Sequence, residues 1–232
     1  KHLEVHRREF VLGMSAFAIS GLGHCENYSP KEEIENKPHP LAIPRHTVHI
    51  RVRVGRYRES QQATVNGGQV RVVEGELQTT TAIHGLFDKT DSEHFLSKVP
   101  TQFTIGSGQK QKVVTGNLHI HTRSDIGRSD FDIVAHVPIE QYLPGVLAGE
   151  LYAHWHPDTF AAQAVAARSY AIVQHLNRLN TSHFDVTDGP SSQVFLGDVS
   201  LEVAHSATKE TEGVILAWDS TVVPAYYSAC CG

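Results

Sequence analysis

Cysteine is nearly absent from this chain: there are three in 232 residues, Cys25 near the start and the adjacent pair Cys230 and Cys231 at the end. That spacing supplies no disulfide framework, so stability must come from a packed core. Neither sign of charge dominates. Twenty Lys and Arg stand against 25 Asp and Glu, and the basic residues are scattered apart from Arg7 and Arg8. General electrostatic attraction to nucleic acid is thereby removed, and nucleic acid is not an expected partner. Also missing are a GxSxG elbow, a Gly-rich phosphate loop and a cysteine beside a plausible base, which sets aside serine and cysteine hydrolases. What the chain does have is 40% hydrophobic and 19% charged residues, an ordinary globular composition long enough to bury a real core. It also has 16 histidines. They fall in almost every segment and never at a metal-ligand spacing such as HExxH, so most read as surface or strand residues, and neither metal nor cofactor is expected.

Residues 7 to 25, RREFVLGMSAFAISGLGHC, combine a twin arginine with an apolar run too short to span a membrane. The pattern resembles a twin-arginine export signal, with Cys25 a weak candidate for lipid attachment; a short amphipathic or buried helix is the alternative. Export to the cell envelope is the expectation. Residues 26 to 45 are rich in proline and charge and read as a linker. The folded unit is expected over residues 46–232, with both chain ends looking cut from a longer protein. From Thr47 to Val137 the signals are strand-like: VHIRVRV alternates, QVRVVEG follows the turn NGG at 66 to 68, and QKVVTGNLHIHTRS and FDIVAHV are rich in β-branched residues.

The period changes at Pro138. In PIEQYLPGVLAGEL the residues at 143, 146, 147, 150 and 151 recur at helical spacing, with Pro144 either beginning the helix or kinking it. A second helix is expected from Pro157 to about Leu179, with Phe160, Ala164, Ala167, Ala171 and His175 on one face and alanines small enough for close approach. After Asn180 strand signals return at FDVTDG, SQVFLG, GVILAW and VVPAYYSA. The fold class is α+β: a β-rich N-terminal half, a helical segment and further strands in one compact unit.

Glu150 stands out because it shares a helix face with Leu143, Val146 and Leu147. Partial desolvation there favours the protonated acid, able to give a proton to a leaving oxygen. A glutamate at a helix end could equally point to solvent or pair with Arg168. Glu140, in the first helical turn, has a structural reason to be there in the backbone donors it faces. Arg168 interrupts an alanine run on a helix expected to be buried, and could position Glu150 or reach out to the surface. The HWH of 154 to 156 supplies at best two metal ligands. Tyr152, Trp155 and Tyr170 are of the type that stacks on sugar rings or packs a core, and Ser191, Ser192 and Gln193 carry groups that bind polyols or build a turn.

VPIEQYLPGVLAGEL, WHPDTFAAQAVAARSYA, FDVTDGPSSQVFLG, TEGVILAW and VVPAYYSACCG, in that order, resemble the stage II sporulation protein D family, which includes peptidoglycan lytic transglycosylases and amidase enhancers. The resemblance covers about 95 residues. It implies that Glu150 is the catalytic acid and base, that the partner is the peptidoglycan glycan strand, and that the product carries a 1,6-anhydromuramyl end. Arg168, Tyr170, Ser192, Gln193 and Trp155 then become candidates for substrate binding or for fixing the site, and Gly149 reads as room for the glycan. The alternative within the family is a non-catalytic wall-binding protein that stimulates a cell-wall amidase. Leu151 and Tyr152 stand where the family usually has Met and Pro, and Phe160, Ala161 and Ala162 occupy the region of its usual lysine.

Overall fold

The computed structural model describes residues 4–6, 48–58, 61–74, 76–80, 88–90, 93–95, 101–108, 111–123 and 130–227. The export-like run 7 to 25, the linker up to residue 45 and all three cysteines lie outside the described residues. The strands are β1 (Glu4–His6), β2 (His49–Tyr57), β3 (Ala63–Val65), β4 (Gly68–Val73), β5 (Glu76–Thr79), β6 (Asp88–Thr90), β7 (Glu93–Phe95), β8 (Thr101–Ile105), β9 (Lys112–Thr122), β10 (Phe131–Pro138), β11 (Val186–Thr187), β12 (Ile215–Trp218) and β13 (Thr221–Val222). The helices are α1 (Ile139–Glu150), α2 (Pro157–Arg178) and α3 (Glu202–Glu210). The fold is α+β.

Alternation decides the sheet. In β2 the residues Ile50, Val52 and Val54 are buried while Arg51 and Arg53 take the other face. The main sheet runs β11-β2-β10-β9-β8-β3-β4-β5, with β7 also on β9. The long β9 joins its parts, pairing with β8 over 112 to 116 and with β10 over 117 to 122. Asn66 and Gly67, both at positive φ, close the β3–β4 hairpin, the conformation that an Asn-Gly turn adopts most readily. Register across β9, β10 and β2 sorts the two faces: Leu118, Ala135 and Val52 align on the apolar one. Asn117, His136 and Arg51 align on the other, as do His121, Asp132 and Arg56.

Helix α1 follows β10 directly. Its Pro144 lies in the interior, at a cost of about 3 kcal/mol or more. Burial of Ile139, Tyr142, Leu143, Val146 and Leu147, at about 1.5–3 kcal/mol each, outweighs that cost and keeps the helix going to Glu150. Helix α2 starts with Pro157 at its first turn and buries Phe160, Ala164, Ala167 and Ala171, as the spacing predicts.

The region after Asn180 departs from expectation. SQVFLG forms no strand, FDVTDG contributes only the two residues of β11, and residues 202 to 210 form α3. That helix buries only Ala204, Ala207 and Thr208, so its hydrophobic stripe is made of small and hydroxyl-bearing residues that a periodicity reading passes over. β12 sits in a separate small sheet between β1 and β13. None of the helices among the described residues is long and apolar enough to cross a membrane.

Candidate active site

Glu150 is the last residue of α1 and half-buried. Its Oε1 accepts a 2.7 Å hydrogen bond from the backbone N–H of Val194. Two glycines on α1 bring that backbone within reach. A Cβ at 149 would overlap the Val194 carbonyl oxygen, and one at 145 would overlap the Gly197 carbonyl and the Phe195 ring. Gly149 is therefore where the chain 194–197 lies against α1. It is not open space for a glycan, which corrects the sequence reading.

Gln193, the residue before that contact, is fully buried. Its Oε1 accepts from the Tyr142 hydroxyl at 2.9 Å, and its Nε2 donates to the Ala167 carbonyl at 3.2 Å and to the Tyr227 hydroxyl at 2.9 Å. Gln163 on α2 also hydrogen-bonds Tyr227. One amide thus ties α1, α2 and the segment after β13 together. Burial first of all holds the Tyr227 phenol above the ordinary tyrosine range; the bond to Gln193 opposes this, and the charge of Glu150 adds to the rise. Tyr142 is raised as well, by burial above all and then by Tyr227, Tyr170 and Glu150. The Val194 N–H that Glu150 holds belongs to the residue next to Gln193, which joins the acid to this network through one peptide.

On the outer side of Tyr227 a cavity of about 310 Å³ is lined by Tyr170, Gln174, Arg178, Ser191, Ser192, Tyr226 and Tyr227. Ser192 hydrogen-bonds Tyr170, and the Tyr170 ring meets the Tyr226 ring edge-on at 5.8 Å. Aromatic faces alternating with hydroxyl and amide groups are the lining that a polyol ring needs. In the loop between α1 and α2, Tyr152 (68% exposed) and Trp155 (42% exposed) form a second aromatic pair at 5.6 Å.

The predicted residues therefore divide. Tyr170 and Ser192 meet in the cavity, and Trp155 stands in the loop that follows Glu150. Gln193 has no polar atom left for a substrate and acts as an internal bracket instead. Arg168 also differs from expectation: it is 1% exposed and its partner is Glu140, not Glu150. Nε and Nη2 donate to the two Glu140 oxygens at 2.9 and 2.8 Å, and the remaining donors reach the carbonyls of Val214, Thr208 and Ala164 and the Thr211 hydroxyl. No donor is left for substrate, and Glu140 is held by a side chain on α2 where backbone donors alone had been expected. The HWH cluster resolves as local structure: His156 Nδ1 accepts from the Asp158 N–H to cap α2, and His154 stacks on Tyr152.

Sequence reasoning missed Gln163, Tyr226 and Tyr227. Gln163, Ala167, Tyr170 and Gln174 repeat at four, three and four residues, a polar stripe on α2 that the spacing does contain.

Residues 127–218 match the family model described as stage II sporulation protein, SpoIID. Over this segment the chain is similar to the stage II sporulation protein family. An uncharacterised protein of Brachyspira hyodysenteriae is 35% identical over 101 residues, which are 43% of this chain and 27% of that protein. The SpoIID segment contains α1, α2, α3, Glu150 and the Gln193 bracket, while Tyr226 and Tyr227 follow it. That similarity points to a cell-wall-related role.

Proposed function

We propose that the protein is a peptidoglycan lytic transglycosylase of the cell envelope, with Glu150 as its general acid and base. The observation that carries the reading is the state of the carboxylates. Glu140 is taken up by Arg168, and Asp188 is paired with Lys112 Nζ. Glu150 alone combines a fixed position, a backbone N–H on Oε1 and an Oε2 with no protein partner among the described residues. Hydrolytic glycosidases ordinarily use two working carboxyl groups at a set separation, whereas intramolecular transglycosylation needs one.

In this reading the protonated Glu150 gives its proton to the glycosidic oxygen as the bond from muramic C1 to that oxygen breaks. The resulting carboxylate takes the proton of the muramic C6 hydroxyl while O6 bonds to C1, so the ring closes without water and the acid is regenerated. The Val194 N–H stabilises the carboxylate between these two events. Tyr170, Ser192 and Tyr226 would hold a neighbouring sugar, and Trp155 with Tyr152 would stack on the strand beyond Glu150.

The test is digestion of purified glycan strands followed by mass spectrometry for 1,6-anhydromuramyl ends. Wild-type protein should produce them and Glu150→Gln should not. Undiminished product from Glu150→Gln refutes the residue's role. Glycan binding by the wild type with no anhydro ends would favour the non-catalytic alternative, a wall-binding partner of an amidase.

A further inference from the structure

On the polar face of the sheet, away from Glu150 and its bracket, three imidazoles converge. His119 and His121 are two residues apart on β9 and project from the same face, and His136 comes from the adjacent β10. A nitrogen of each lies within 4.8 Å of a nitrogen of the others. We propose that His119, His121 and His136 bind a divalent transition-metal ion of the zinc type, clamping β9 to β10.

Three further observations support the site. His136 Nε2, Asn117 Oδ1 and Asp132 Oδ1 are buried with no hydrogen-bond partner among the described residues. Such orphans each cost about 1–3 kcal/mol, and three on one face call for a common explanation. They are neighbours in register as well: Asn117 pairs with His136, and Asp132 pairs with His121. Three imidazoles with the fourth position open to water or another oxygen are a donor set that suits zinc.

A second layer is also present. Asp132 Oδ2 meets His183 Nε2 at 2.9 Å, and the His183 ring stands 4.6 Å from that of His121. Of the arginines near this face, Arg51 is paired with Asp185 at 2.6 Å and Arg53 lies 3.8 Å from Asp132, while Arg56 stands in register with Asp132. A cleft of about 390 Å³ adjoins this face at Asp132 and His183, which line it together with Arg53, Arg56 and Arg123.

The geometry needs a small adjustment. Nitrogens around a tetrahedral ion at about 2.0–2.1 Å lie roughly 3.3 Å apart, closer than the present limit. The His119 and His136 rings, now stacked at 3.7 Å, must tilt to aim both nitrogens at one point. The strands already hold the three residues side by side, so the adjustment asked for is one of side-chain rotation.

The test uses the full chain with no affinity tag, stripped with chelator and titrated with Zn²⁺ by calorimetry, then dialysed and assayed for metal by elemental analysis. One equivalent per chain is expected, together with a rise in Tm on adding Zn²⁺. His121→Gln and His136→Gln should each weaken binding at least tenfold and abolish the Tm rise, while His154→Gln and His156→Gln, in the exposed loop, should leave both unchanged. Circular dichroism without metal checks that each variant is folded, and His121 and His136 are both half-buried where His119 is buried. Absence of stoichiometric Zn²⁺ in wild type overturns the proposal, as does binding that survives His121→Gln and His136→Gln but is lost in the loop variants. The outcome is independent of the glycan assay.

Discussion

Replacing Arg168 by methionine should destabilise the protein by about 3–5 kcal/mol without removing any group that contacts the glycan. The guanidinium is buried and its bonds are all internal: two to Glu140 and the rest to α2 itself, α3 and the turn before β12. Breaking a buried ion pair from one side costs about 3–5 kcal/mol, mostly through the charge left behind. Glu140 keeps 28% exposure, so water restores part of its solvation and moves the estimate toward the lower end. The Val214 and Thr208 carbonyls lose charged donors at 3.0 and 3.3 Å, adding roughly 1 kcal/mol each. For a chain of this size the total corresponds to a fall in Tm of about 10 °C. Urea unfolding of Arg168→Met, Glu140→Gln and the double variant is the assay, and the double variant should cost clearly less than the sum of the singles. Unchanged stability in Arg168→Met would refute the brace. A variant of wild-type stability that loses anhydro products would return Arg168 to the substrate.

Gly149→Ala sets a helix propensity gain of about 1 kcal/mol against a Cβ that overlaps the Val194 carbonyl, and overpacking at about 1–3 kcal/mol should win. The urea midpoint should fall and, as Val194 is pushed from Glu150, anhydro product should fall with it. Gln193→Leu leaves the buried Tyr142 hydroxyl without its acceptor and takes a donor from Tyr227, and a loss of about 1–3 kcal/mol is expected by the same measurement. Burial alone would raise the Asp185 carboxyl, but its hydrogen bonds with His175 and Arg51 outweigh burial and hold it below 3.8. Its contribution is thus complete above 3.8 and is lost as pH falls through the lower folded value; Asp185→Asn should flatten the acid limb of stability against pH.

The parts of the fold that were legible in the sequence are those where one face is apolar and the other is not. β2 and α2 were legible because Ile50, Val52 and Val54, or Phe160, Ala164, Ala167 and Ala171, repeat at a single period over many residues. α3 was not, because it is short and buries alanine and threonine. The site divides along a different line. Glu150 was legible as an acid on an apolar helix face, since α1 alone creates that relationship. Partner choice was not: Arg168 stands 18 positions from Glu150 and 28 from Glu140, and only the crossing of α1 and α2 decides which acid it reaches.

The three histidines of the sheet show the same limit more sharply. Local spacing judged the histidines against HExxH, a helical pattern, and found nothing. On strands the relevant spacing is two within one chain segment and whatever the register dictates in the next, and that register is fixed by burial of Leu118, Ile120, Ile133 and Ala135 on the opposite face. A one-residue slip of β10 would turn His136 and Asp132 into the core and bring Ile133 and Ala135 onto the polar face. The apolar pattern of one side therefore sets the polar constellation of the other, so the imidazole cluster follows from the core even though no local motif announces it.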